Sequence, residues 1–173
     1  KLNYKINNFQ IPLGYISGFL LNKSYVNCKQ TEYNKKYDFS FIGQMKSDRK
    51  KMLNKFKNNF RNNFIHTGKT NWSNPEKQNI KPEQLFNIYK ESLFVPVGRG
   101  NKSLDCFRVY EAIVAGAIPV ICGPIEEINV TFKFNNEKPY IITAETWDKA
   151  VLLCKELYSD KDKICNIINS NNK

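Results

Sequence analysis

The chain has 173 residues and a mass of 20.2 kDa, and 41% of the residues are hydrophobic. A chain of this length can bury roughly two thirds of its unfolded surface, so we expect one globular domain and exclude disorder. The five cysteines form no C-x-x-C pair, which argues against a zinc ribbon or a dense disulfide framework. The first residue is Lys and no run of eighteen apolar residues occurs. We therefore expect a soluble piece of a longer protein, and the sequence does not decide between a Golgi, membrane-associated or cytoplasmic setting.

The formal net charge of +11 is concentrated in the first half of the chain. Residues 1–81 hold 16 Lys and Arg against 4 acids, and the remaining residues hold 11 against 12. A non-catalytic module that binds a nucleotide, a polyanion or nucleic acid is therefore one hypothesis. The simpler interpretation is a Lys-rich, solvated face. Nucleic acid is the less favoured partner because no aromatic-basic motif accompanies the charge.

The first half of the chain predicts two strands and two helices. Residues 1–36 fit no regular pattern and are interpreted as a leading segment or interdomain linker. The stretch "YDFSFIG" predicts a strand, and Ser47 can cap a following helix whose Met52 and Phe56 recur at helical spacing. "NFIHTGK" predicts a second strand, and "TNWSNPEKQNIK" predicts a surface loop. Pro82 then suits the first turn of a second helix.

The second half continues the alternation of strands and helices. "LFVPV" predicts a third strand, followed by a helix that begins near Ser103 or Asp105 and ends at Gly116 in a left-handed cap. "AIPVIC" and "PYIIT" predict a fourth and a fifth strand. A last helix is capped by Thr143 or Thr146. The Asn-rich tail "NIINSNNK" is expected to be frayed.

This alternation predicts the fold class. Continuous apolar strands joined by helices imply an α/β, Rossmann-like three-layer domain with a mainly parallel sheet, which we place at residues 37–173. Ligands of such sheets bind at the carboxyl ends of the strands, where loops lead into helices. We therefore expect the ligand-binding site in the loops at the carboxyl ends of the strands.

The loop "VPVGRGNKSLDCFR" has the composition of such a site. Gly98 and Gly100 allow a tight turn and a close approach of the backbone to a ligand, and free amides at a helix start attract a phosphate. Arg108 and Glu111 lie three residues apart on one helix face, so Glu111 could accept hydrogen bonds from ribose hydroxyls and Arg108 could reach a diphosphate. The alternative is an exposed ion pair worth a few tenths of a kcal/mol.

Other functional classes find less support in the sequence. The glycine pattern lacks the third glycine of the dinucleotide fingerprint and follows the third strand, which argues against a dinucleotide oxidoreductase. No Asp-x-Asp pair that could hold a metal-bound diphosphate lies in the loops of the predicted site, since the pair Asp160 and Asp162 follows the last predicted helix, so no metal is expected. His66, after the second strand, is interpreted as a loop or packing residue, and no catalytic base is assigned.

The order S-x-F-x-P-x-G-R-G … S … F-R-x-Y-E-A-I-x-A-G-A-I-P-V-I resembles the signature of the exostosin-like glycosyltransferases. The preceding "FSFIGQMKSDRKKML" is similar to another segment of that family, so the resemblance covers about residues 37–123. It implies the C-terminal, donor-binding half of a GT-B enzyme, which binds a nucleoside-diphosphate sugar. A UDP-sugar is the expected donor, with no cofactor and no metal.

The resemblance also implies roles for individual residues. Glu111 matches the acid that holds the donor ribose, Arg108 matches an arginine near the diphosphate, and Arg49 is a weaker match. The full set of implied donor-binding residues is Gly98, Arg99, Gly100, Ser103, Arg108, Glu111 and Arg49. The resemblance further implies a glycan or other hydroxyl acceptor and an N-terminal acceptor domain that is missing from this chain. Neither the sugar nor the stereochemical outcome is determined.

Overall fold

The computed structural model describes residues 13–15, 19, 34–46, 48–68, 80–100, 103–132 and 140–171. Most of the predicted leading segment, the Ser47 cap and most of the predicted loop before Pro82 lie outside these residues. None of the helices in the described ranges has both the length and the apolar character needed to cross a bilayer.

Five parallel strands form one sheet. They are β1 (Tyr37–Ile42), β2 (Asn63–His66), β3 (Ser92–Val97), β4 (Ile118–Cys122) and β5 (Ile142–Ala144). Their spatial order is β2-β1-β3-β4-β5, and every neighbouring pair is parallel. The five predicted strands are therefore confirmed, with β5 placed slightly later than the motif "PYIIT".

Six helices complete the described fold. They are α1 (Arg49–Lys57), α2 (Pro82–Lys90), α3 (Phe107–Val114), α4 (Ile125–Thr131), α5 (Trp147–Tyr158) and α6 (Lys161–Asn171). Pro82 is the first residue of its helix, as predicted. Gly116 has φ 74° directly after α3, and the Thr146 hydroxyl accepts a hydrogen bond from the Lys149 amide at 3.3 Å. Both predicted caps are thus confirmed, the second for Thr146 rather than Thr143.

The sheet is covered on both faces. Adjacent strand residues point to opposite faces, so Phe94 joins one core cluster and Val95 the other. The first cluster includes residues of α1, α5 and α6, among them Met52, Phe56, Trp147 and Ile164. The second includes residues of α2, α3 and α4, among them Tyr89, Val109 and Ile128. This arrangement confirms the predicted three-layer α/β, Rossmann-like domain.

One predicted helix start is wrong. α3 begins at Phe107, with Cys106 at the N-cap, and not near Ser103 or Asp105. The Asp105 carboxylate is engaged elsewhere, since it accepts hydrogen bonds from the Tyr110 hydroxyl at 2.8 Å and from the Leu13 amide at 3.3 Å. The loop before α3 is therefore longer than the sequence pattern indicated.

The prediction of a frayed tail is also wrong as far as Asn171. α6 runs through most of the Asn-rich segment, and α4 is a further helix that the sequence analysis did not predict. Ile164, Ile167 and Ile168 have helical spacing and are buried in the first core cluster. Three isoleucines on one stripe therefore outweigh the polar composition of the segment.

Candidate functional site

The strand order places a topological switch point between β1 and β3. The chain leaves β1 toward β2 on one side and returns to β3 on the other side of β1. Connections therefore diverge at the carboxyl ends of these two strands, where open α/β sheets bind ligands. Gly43 follows β1 and Gly98 follows β3 directly. We call the carboxyl ends of β1 and β3, with the loops that follow them, the switch point.

Arg108 reaches the switch point from α3. Its Nε donates a hydrogen bond of 2.6 Å to the carbonyl oxygen of Ile42, the last residue of β1. Its Nη1 donates to the sulfur of Cys106 at 3.5 Å. A methyl group added at Gly43 would lie 2.7 Å from Nη2, so a larger residue there would have to displace the guanidinium. Arg108, which lies on the helix after β3, therefore bonds to the end of β1.

Arg49 makes the reciprocal crossing from α1. Its Nη1 donates to the Gln44 carbonyl at 2.8 Å and its Nη2 donates to the Arg99 carbonyl at 3.1 Å. A methyl group at Gly98 would lie 2.5 Å from Arg49 Cγ. Arg49, which lies on the helix after β1, therefore contacts the loop after β3. Gly98, after β3, makes room for Arg49, and Gly43, after β1, makes room for Arg108.

Acidic side chains lie near both arginines, because Glu111 acts to raise the pKa of Arg108 and Asp48 acts to raise that of Arg49, but among the described residues neither forms an ion pair with them. Arg49 is 6% exposed, and its pKa is lowered, first by burial and then by the charge of Arg108. Burial acts to lower the pKa of Arg108, but Tyr89 and Cys106 raise it by more, so this guanidinium stays charged. The ion pairs among the described residues are Lys36–Glu91, Lys55–Asp148 and Arg99–Glu127, and they include neither arginine. Two cations close together and largely removed from water favour an anion beside them.

Glu111 is buried below this edge. It is 2% exposed, in the middle of α3, and close enough to Tyr89 and Arg108 to affect their pKa values. The alternative interpretation of Arg108 and Glu111 as an exposed surface pair is therefore wrong. A buried carboxylate near a half-buried guanidinium belongs to the interior of a site or of a core. Its predicted contact with a ribose stays a prediction.

The remaining predicted residues form a tight loop after β3. The Gly100 amide donates to the Ser103 carbonyl at 3.0 Å, and a methyl group at Gly100 would lie 2.8 Å from the Asp105 carbonyl oxygen. Arg99 points toward α4, where both its Nη atoms lie 2.7 Å from the carboxylate of Glu127. The structure therefore places the backbone of Arg99, rather than its guanidinium, against Arg49.

Sequence reasoning missed several residues of this edge. Gly43 could have been found, because it follows a clear strand within the quoted "FSFIG" motif. Tyr89 of α2 is fully buried, and its hydroxyl lies close to the charge of Arg108 but forms no well-aligned hydrogen bond among the described residues. Asp48 accepts a hydrogen bond from Trp147 Nε1 at 3.0 Å, while its Oδ1 is buried without a partner in the same part of the chain. No local sequence pattern indicates that Tyr89 or Asp48 belongs to this edge.

His66 and Cys122 end strands on either side of the switch point. His66 is the last residue of β2 and pairs with Ile42, and its carbonyl oxygen accepts a hydrogen bond from the Gly43 amide at 3.0 Å. Burial raises the pKa of Cys122, at the end of β4, to about 11, so its thiol is a poor nucleophile near neutral pH. Within the described ranges no three His, Cys, Asp or Glu side chains come together as metal ligands. The chemistry of the switch point is therefore that of its arginines and backbone.

The fold and the site define a class: a Rossmann-like α/β domain with one buried arginine, Arg49, and one half-buried arginine, Arg108, at its switch point. The chain belongs to the RXYLT1 C-terminal domain family, which matches residues 21–146. This family is related to exostosins and xylosyltransferases, so the predicted exostosin-like relationship is confirmed and the family is a glycosyltransferase-related one. No curated protein and no solved structure matches the chain.

Proposed function

We propose that this domain binds the donor of a glycosyltransferase, a nucleoside-diphosphate sugar, with its diphosphate at the switch point. The observation that carries the proposal is the pair of crossed arginines, which lack a carboxylate ion pair among the described residues. A diphosphate would add negative charge directly beside Arg108, which has no carboxylate in ion-pair contact within the described ranges, and guanidinium groups bind phosphate oxygens with good geometry. Membership of a glycosyltransferase-related family supports a sugar nucleotide over other phosphates.

Glycosyl transfer leaves negative charge on the departing nucleoside diphosphate. Positive groups fixed beside that diphosphate stabilise this charge in the transition state. Arg108 is fixed by its bonds to Ile42 and Cys106, so little reorganisation is needed when the charge develops. The preference for uridine comes from the resemblance to exostosin-like enzymes. The proposal includes a hydroxyl acceptor bound by a separate N-terminal domain, and we expect no transfer by residues 1–173 alone.

The experiment is calorimetric titration with UDP, ADP, GDP and uridine. We expect UDP to bind best, and Arg108→Ala to weaken UDP more than uridine, because uridine carries no phosphate. Arg61→Ala is the matched control, since Arg61 is an exposed arginine outside the helices. Binding of UDP that is equally strong in the Arg108 variant would contradict the diphosphate assignment.

Glu111 is tested in the same titration. If it accepts two hydrogen bonds from the ribose, Glu111→Gln should cost about 1.5 to 3 kcal/mol of UDP affinity, because charge-assisted bonds become neutral ones. Glu156→Gln, at an exposed position of α5, is the control for the loss of one acid. Unchanged affinity in the Glu111 variant, with the fold intact, would restrict this residue to a role in the core.

The salt dependence of binding distinguishes the hypothesis of a polyanion-binding module from the proposed donor site. α1 carries Lys50, Lys51, Lys55 and Lys57 and has no acid in its first turn. Binding of an oligonucleotide through such a face should fall steeply as salt is raised and should not depend on Arg108. UDP binding to a single site should respond less. An oligonucleotide that binds far more tightly than UDP, with affinity independent of Arg108, would favour this alternative.

A further inference from the structure

We propose that Arg49 is a positioning residue that holds the two loops of the switch point in register, and that it does not itself contact the ligand. The guanidinium bridges the loop after β1, at the Gln44 carbonyl, and the loop after β3, at the Arg99 carbonyl. The two carbonyls belong to residues 55 positions apart, so one side chain couples two separate segments. The part of this inference that concerns UDP affinity rests on the proposed function.

The burial of Arg49 supports this role. The residue is 6% exposed and its Nε is buried without a hydrogen-bond partner among the described residues. Both Nη groups are occupied by backbone oxygens, and a methyl group added at Gly98 would lie within 3.3 Å of the Cγ, Cδ and Nε atoms of Arg49. A ligand would therefore meet the backbone of the loops before it met this guanidinium. Arg108 is left as the arginine of the pair that contacts the diphosphate.

The geometry also assigns a role to Gly98 that the sequence did not indicate. A methyl group there would lie 2.5 Å from Arg49 Cγ and 3.0 Å from Arg49 Nε. Gly98 is therefore required to let the arginine pass, which is different from letting a ligand approach. Any larger residue at position 98 should break the bridge without removing the charge of Arg49. This gives two independent ways to perturb the same contact.

The first measurement is amide hydrogen exchange without ligand, comparing wild type with Arg49→Met. If Arg49 couples the loops, exchange should rise by about tenfold or more in residues 43–46 and 98–100 together, because both lose a charged hydrogen-bond partner. Lys50→Met is the matched control: it removes one positive charge from the next, exposed position of α1 and should leave both loops unchanged. Gly98→Ala should raise hydrogen exchange in the same two loops. It replaces Arg49→Met in this measurement if the Arg49 variant does not fold.

The second measurement is the UDP affinity of the same variants. We expect Arg49→Met and Gly98→Ala to weaken UDP by about tenfold, the size of one lost charge-assisted hydrogen bond, and Lys50→Met to change it less than twofold. Weaker UDP binding with unchanged exchange in the free protein would overturn the inference, because Arg49 would then contact the ligand directly. Unchanged exchange and unchanged affinity would overturn it as well. Failure of wild type to bind any nucleoside diphosphate would refute the proposed function, while the exchange data would still decide whether Arg49 couples the loops.

Discussion

Lys35 ties the end of the predicted leading segment to the domain, and it makes the stability of the fold depend on pH. Its ammonium donates to the carbonyl oxygens of Lys90 and Gly116, both at 2.8 Å, at the carboxyl ends of α2 and α3. Its pKa is lowered from 10.5 to about 8, first by burial and then by the charge of Lys90. Lys35→Met removes this titration and retains an unbranched side chain.

The sign and size of the effect follow from linkage. Between pH 8 and 10.5 the unfolded chain holds a proton at Lys35 that the folded chain has lost, so the free energy of unfolding rises with pH in this window. Below pH 8 the full cost of burying the charge is present. One pKa unit corresponds to about 1.4 kcal/mol, so the gap in stability between wild type and Lys35→Met should move by about 2 kcal/mol in favour of wild type from pH 7.5 to pH 10.

Urea unfolding of both proteins at several pH values measures this gap. Lys36→Met is the matched control, because Lys36 is exposed and its pKa is raised, first by Tyr37 and also by Glu91. Because its pKa is raised in the folded state, Lys36 contributes stability that is lost as pH rises. The difference in free energy of unfolding between wild type and Lys36→Met should therefore not increase with pH. A flat or falling gap for Lys35→Met between pH 7.5 and 10 would refute the assignment of Lys35 as a buried, depressed lysine.

Three further substitutions test the switch point and its surroundings. Tyr89→Phe should change stability by no more than about 1 kcal/mol in thermal unfolding, because its buried hydroxyl lies close to the charge of Arg108 but forms no well-aligned hydrogen bond among the described residues; a larger loss would show that the hydroxyl bonds to Arg108. Gly100→Ala should cost about 1 to 3 kcal/mol, since the new methyl group meets two backbone oxygens within 2.9 Å, and a neutral result in urea unfolding would contradict that crowding. Gly43→Ala should displace Arg108 and lower UDP affinity by about tenfold in calorimetry, the size of one charge-assisted bond, whereas equal affinity would separate the Arg108 position from binding.

The positions of strands and most helices could be predicted from the sequence because they depend on local patterns. The apolar runs around Phe39 and Val95, the proline at the start of α2 and the glycine after α3 each act within a few residues. Where local signals conflicted, prediction failed. The start of α3 and the helix at the Asn-rich tail were decided by contacts of Asp105 and by burial of Ile164.

The residue types and spacing of four residues suit a phosphate site and resemble a family motif, which makes them candidates from the sequence alone: Arg49, Arg108, Gly98 and Glu111. How they meet depends on the strand order. The order β2-β1-β3 makes β1 and β3 neighbours, although residues 43–91 with α1, β2 and α2 lie between them in the chain, and it therefore brings each arginine to the end of the other strand. Burial of Glu111 is likewise a property of packing between layers, which no spacing along one helix can reveal.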